Sequence, residues 1–219
     1  MRTIFSMDNL FFRTMGKLVD LVWLNILTLV FSIPVITVGA SIAAMNAVTL
    51  RMARNEEGGI TRGFINAFKD NFKNATKVWL VTLVLIVVYV LDISLISQGI
   101  LEGLGKYRIV VEVAVALVIY IVAMVLDYIF PLLARYDSDL KTTVKNAAKL
   151  VIAFLPRSLC MPIIYLFPIA LMFISDYWIP LWLFYGLALP CYFCSMLLVK
   201  IFEKLEPKEE VEEDESGEV

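Results

Sequence analysis

Histidine is absent from this 219-residue chain, and charge is scarce: Asp, Glu, Lys and Arg together make up 18% of it. Without histidine the chain lacks the commonest general base, pH switch and metal ligand, and no Ser/His or Cys/His nucleophile can be assembled. Cysteine is limited to Cys160, Cys191 and Cys194, each inside an apolar run. The Cys-x-x-Cys spacing of the last two has no histidine or second cysteine pair to complete a zinc site, and reads as helix packing. Between Gly99 and Lys106 the glycines are one residue too far apart for a phosphate loop, and Tyr107 stands where Ser or Thr is needed. Acidic residues in the apolar segments stand singly rather than in the pairs that acid–base work requires. These absences predict no catalytic residue, no cofactor, no metal and no enzymatic activity.

What is present is apolar. Hydrophobic residues make up 60% of the chain, against roughly 45–50% in soluble domains, and a chain this small has too little interior to hide the excess. Lipid must cover it. The expected fold class is all-α: a polytopic membrane helix bundle of six transmembrane helices, with short cytoplasmic amphipathic helices. Apolar runs place the spans at 18–33, 34–52, 78–97, 109–133, 150–174 and 178–199. The run 18–38 is too long for a signal-peptide core of about 7–15 residues. Pro156, Pro162 and Pro168 should kink or break the fifth span. Residues 1–17 mix Phe, Leu and Met with Arg13 and Lys17 and read as an interfacial helix before the transmembrane domain of 18–200. Phe64, Phe68 and Phe72 recur every four residues among charged neighbours, so 62–74 reads as a surface helix with its phenylalanines in the headgroup boundary. A second short helix is expected near 138–146.

The formal charge of −2 conceals a segregation. Residues 206–219 carry eight acidic residues and one Lys, so the other 205 residues carry +5. The end of the chain, 201–219, therefore reads as an acidic disordered tail, either solubilising or binding. Sixteen Lys and Arg fall on the side of the membrane that holds the N-terminus, while Lys106 and Arg108 fall on the other. By the positive-inside rule both termini face the cytoplasm. Basic residues at membrane boundaries have lipid headgroups as partners and do not indicate nucleic acid.

The chain also looks duplicated. Lys73-Asn74-Ala75 returns as Lys145-Asn146-Ala147, 72 residues later, and an Ala-Arg pair ends the preceding span in each copy (Ala53-Arg54, Ala134-Arg135). Matching segments enter the membrane in the same direction, which makes a parallel internal repeat. Ionisable groups within the spans are costly in hydrocarbon. Asp127 and Arg157 lie at equal depth with opposite sign, and are expected to form an intramembrane polar pair. It would be a latch between spans or part of a substrate or ion site; otherwise Arg157 snorkels to the headgroups. Asp20, Asn25 and Asn46 fall in the same half of the membrane and would extend the pair into a polar cluster.

Several motifs carry a resemblance. Met7-Asp8, Phe12-Arg13, Leu24-Asn25, Ile33-Pro34-Val35, Thr37-Val38-Gly39-Ala40, Ala67-Phe68-Lys69, Asn71-Phe72-Lys73, Phe130-Pro131-Leu132 and Ala134-Arg135-Tyr136 together resemble the YesL-like family of bacterial membrane proteins, a domain of unknown function. The resemblance covers roughly residues 5–200. It implies a small plasma-membrane protein whose genes often lie beside carbohydrate ABC transporters, and it supplies no catalytic residues. The resulting expectation is a non-enzymatic accessory or regulatory subunit of a carbohydrate ABC importer. Its partners would be membrane lipids and the transporter's permease and ATPase subunits. They would meet a cytoplasmic docking face of Arg62, Lys69, Lys73, Lys141 and Lys145. The alternative is a small stand-alone secondary transporter or channel using the polar cluster.

Overall fold

The computed structural model describes residues 4–56, 58–97, 107–136 and 138–205, with the backbone alone described at 4–13, 95–97, 108, 176 and 205. The glycine-rich residues 98–106 and the acidic residues 206–219 lie outside the described residues. Among the described residues eight α-helices follow in order: α1 Ile4–Phe31, α2 Val38–Ala53, α3 Ile60–Ser97, α4 Tyr107–Arg135, α5 Leu140–Ala153, α6 Leu155–Ile174, α7 Ile179–Tyr185 and α8 Ala188–Leu205. Among the described residues there is no strand, and the fold is an all-α polytopic membrane bundle. Among the described residues five helices are long and apolar enough to cross a bilayer, and α7 with α8, bent by 47°, makes a sixth span if the pair counts as one.

α2 is the axle. It packs against α1, α3, α4 and α8, and its buried residues include Gly39, Ala40, Ser41, Ala43, Ala44, Asn46 and Ala47 beside the larger Met45, Val48, Leu50 and Met52. Small residues let helix backbones approach, which is how helices associate when lipid and side chain are equally apolar. A Cβ built on Gly39 would stand 2.5 Å from the Ala75 carbonyl oxygen and 2.5 Å from the Trp79 Cβ, so only glycine fits there. At the other end of α2 the Arg51 guanidinium lies against Gly63. α2 and the first half of α3 therefore run antiparallel and in contact for most of the length of α2.

The turns have identifiable causes. After Pro34 a 3-10 turn, Val35–Thr37, reverses the chain. The Thr37 hydroxyl donates to the carbonyls of Phe31 (2.6 Å) and Pro34 (2.7 Å), and the Trp79 indole donates to the carbonyl of Val35 (2.7 Å). α2 ends in a Schellman motif: Glu56 N–H reaches the Arg51 carbonyl, Asn55 N–H reaches Met52, and Asn55 takes the left-handed conformation at φ 57°. Lys17 crosses from α1 to this end, donating to Met52 O (3.4 Å) and Asn55 Oδ1 (2.8 Å). A cation there also complements the negative end of the helix dipole.

Several boundaries differ from the sequence reading. The segment 62–74 is not a separate surface helix; it is the start of the 38-residue α3. Phe64 is fully buried, in edge contact with Phe31 (5.4 Å), and Phe68 joins it (5.1 Å); only Phe72 is exposed. The phenylalanines thus line a helix interface instead of a headgroup boundary. α1 likewise runs through residue 17 without interruption. The fifth span starts at Leu155, because Pro156 cannot donate to Ile152 and breaks the helix at Phe154, while Pro162 and Pro168 stay within α6. The tail boundary at 200 is also too early: α8 continues to Leu205, with Ile201 and Phe202 buried.

Candidate functional site

The last span is broken at Gly186–Leu187, and Pro190 dictates the place. It has no N–H for the Gly186 carbonyl four residues back, and its ring crowds that carbonyl. The break strands backbone groups within the bundle, and such groups need replacement partners at membrane depth. One side chain supplies them. Asn25 of α1, fully buried, donates to the Leu183 carbonyl (2.7 Å) and accepts from the N–H groups of Leu187 and Ala188 (2.9 Å each). Gly186 itself packs under the Trp182 indole, where a Cβ would stand 2.6 Å from Trp182 Cγ.

Asn46 serves the neighbouring interface. Its amide donates to the Ile42 carbonyl (2.9 Å), and its oxygen accepts from the Cys191 thiol (3.5 Å). One turn on, Thr49 meets Cys191 Sγ at 3.3 Å and the Ser195 hydroxyl at 2.8 Å. α2 and α8 are thus zipped by Asn46, Thr49, Cys191 and Ser195, a seam of small polar groups that satisfy one another. Cys191 and Cys194 are buried free thiols. Of the cluster expected from sequence, Asn25 and Asn46 both serve the start of α8. Asp20 makes no hydrogen bond or ion pair among the described residues.

Asp127 and Arg157 do not pair. No ion pair joins them, and Asp127 Oδ2 and Arg157 Nη1 are buried without hydrogen-bond partners among the described residues. The Arg157 guanidinium faces the Phe154 ring instead, at 5.9 Å. The contact between α4 and α6 falls one residue further along each helix: the fully buried Tyr128 hydroxyl meets the fully buried Ser158 hydroxyl at 2.9 Å. Tyr120 adds a second bond, to the Leu159 carbonyl. One residue is a rotation of about 100° around a helix. The depth argument found the right turn of each helix and the wrong face.

The residues of the expected docking face are all exposed. Arg62, Lys69 and Lys73 lie on the first half of α3, and Lys141 and Lys145 on α5. None of the five makes an ion pair among the described residues. Between α3 and the ends of α2 and α4 lies a polar cleft of about 660 Å³ that sequence reasoning missed. Its lining includes Arg51, Arg54 and Arg135, the last two being the arginines of the repeated Ala-Arg pairs, so the repeat itself was the available signal.

No curated protein and no solved structure matches the chain. Residues 21–93, which cover the last eleven residues of α1, all of α2 and α3 up to Ile93, match the model of a family described as Protein of unknown function, DUF624.

Proposed function

We propose that this chain is a non-enzymatic accessory or regulatory subunit of a carbohydrate ABC importer in a bacterial plasma membrane, with both termini in the cytoplasm. The observation that carries the reading is the unpaired basic platform on α3 and α5. Five exposed cations that form no ion pair among the described residues leave their charge available to a partner surface. Complementary charge steers such an encounter and fixes its register more than it sets affinity. The YesL-like resemblance supplies the class of partner, and the Lys and Arg asymmetry supplies the orientation. The stand-alone transporter is the weaker reading. Broken helices often present backbone groups to substrate, but here Asn25 already occupies those at the α7–α8 break.

Charge reversal tests the platform. Lys69→Glu combined with Lys141→Glu should abolish co-purification of permease and ATPase subunits while membrane insertion and thermal stability stay unchanged. Unaltered co-purification, or uptake by the purified chain alone in proteoliposomes, overturns the reading.

A further inference from the structure

We infer that the cleft between α2, α3 and α4 binds a phosphate ester of a small polyol. Arg51 and Arg54 come from the end of α2 and Arg135 from the end of α4, so the chain brings three guanidinium groups to one hollow. Like charges gathered in a partly enclosed space repel one another, so each calls for a counter-charge. Among the described residues Glu56 holds Arg54, with Nε–Oε1 at 2.8 Å, and Asp70 lies in the lining. Arg51 is the telling residue. Its sole described bond is a long one from Nε to the Ala47 carbonyl (3.4 Å), and no acid among the described residues pairs with its terminal nitrogens. Its guanidinium packs against Gly63, where the missing Cβ leaves room for it.

A planar guanidinium fork with no acid on it among the described residues suits a tetrahedral oxyanion, which it can grip through two parallel N–H bonds. The helix ends cannot supply this attraction. Both are C-termini, whose carbonyls repel anions, so the arginines must. Asp70, Asn74 and Tyr136 add acceptors and donors beside the cations, which matches hydroxyl groups on the esterified alcohol. A volume of about 660 Å³ admits a glycerophosphate or a hexose phosphate. Such a group is available from a phosphatidylglycerol headgroup or from a soluble phosphate ester. The site is independent of the docking platform, whose lysines lie outside the cleft.

The test uses the full chain, stripped of lipid in a neutral maltoside detergent at constant ionic strength. Thermal unfolding is followed against sn-glycerol 3-phosphate, and separately against mixed micelles of phosphatidylglycerol, with phosphatidylcholine as control. A saturable rise in Tm with glycerol 3-phosphate identifies a soluble ester; a rise with phosphatidylglycerol alone identifies a headgroup site. In either case Arg51→Gln should weaken the apparent affinity by about tenfold or more, whereas Lys69→Gln, outside the cleft, should leave it unchanged. Should Arg51→Gln fail to fold, Arg135→Lys takes its place, since it keeps the charge and removes the fork. No saturable rise with either probe, an equal rise with sodium chloride, or full affinity in the arginine variants overturns the site.

Discussion

α2 and the far half of the α3–α4 hairpin are both apolar helix, yet their surroundings are opposite. α2 buries Gly39, Ala40, Ser41, Ala43, Ala44, Asn46, Ala47 and Thr49 among its neighbours. Leu80, Val84, Ile86, Val88 and Leu91 of α3, and Ile109, Val113, Leu117 and Ile121 of α4, are exposed on the protein surface. In water that arrangement would be inside out. In lipid a large aliphatic side chain gains little by leaving hydrocarbon for protein, while close backbone approach and satisfied polar groups still favour association. The small and polar helix is therefore the centre, and the Val- and Ile-rich hairpin is the surface.

The sharpest way to break this comparison is Asn25→Leu. It replaces a polar side chain by an apolar one of similar size and leaves the Leu183 carbonyl and two N–H groups buried without partners. Chemical unfolding in mixed micelles should register a loss of about 3 kcal/mol. A loss near zero would mean that the α7–α8 break draws on water or lipid instead. Gly39→Ala comes next. The added methyl group meets the Ala75 carbonyl and Trp79 and should cost about 2 kcal/mol, detectable as a lower unfolding midpoint. Tyr128→Phe and Ser158→Ala should each cost about 1 kcal/mol, and less than the sum together, because they share one bond. Asp127→Asn and Arg157→Gln should combine additively; a coupling larger than that of Tyr128 with Ser158 would put the α4–α6 contact back on the charged residues. The smallest effect belongs to the hairpin surface. Leu117→Ala and Val84→Ala should each stay within about 0.5 kcal/mol of the parent. A large loss at either would reveal a protein partner where the comparison puts lipid.

Much of the architecture was legible because lipid imposes strong rules. The apolar runs 18–33 and 34–52 located the α1–α2 reversal. Positions along the axis could be read from spacing, which is why 127 and 157 fell on the turns that meet. Rotation could not, because in lipid an apolar side chain facing outward looks the same as one facing a helix. The phenylalanine stripe failed for a related reason. Its period marks one face of a helix, but Phe31 across the interface is as good a neighbour as a headgroup boundary. The break at Gly186 was readable in principle from Pro190. What it required of Asn25, 161 residues upstream, was not, since nothing local links the two. The cleft was hidden because its arginines looked like ordinary boundary residues until the fold brought two of the repeat's corners together.

The Asn25 contact also sets an order of events. During synthesis α1 enters the membrane early, carrying an amide that has no partner until Leu183, Leu187 and Ala188 emerge. The first span is therefore left incomplete by nearly the whole length of the chain, and the last span cannot bend stably without the first. The contact that completes both spans joins residue 25 to residues 183–188. A chain cut short before residue 183 keeps an unsatisfied amide inside the membrane, a chemical mark by which an unfinished copy differs from a finished one.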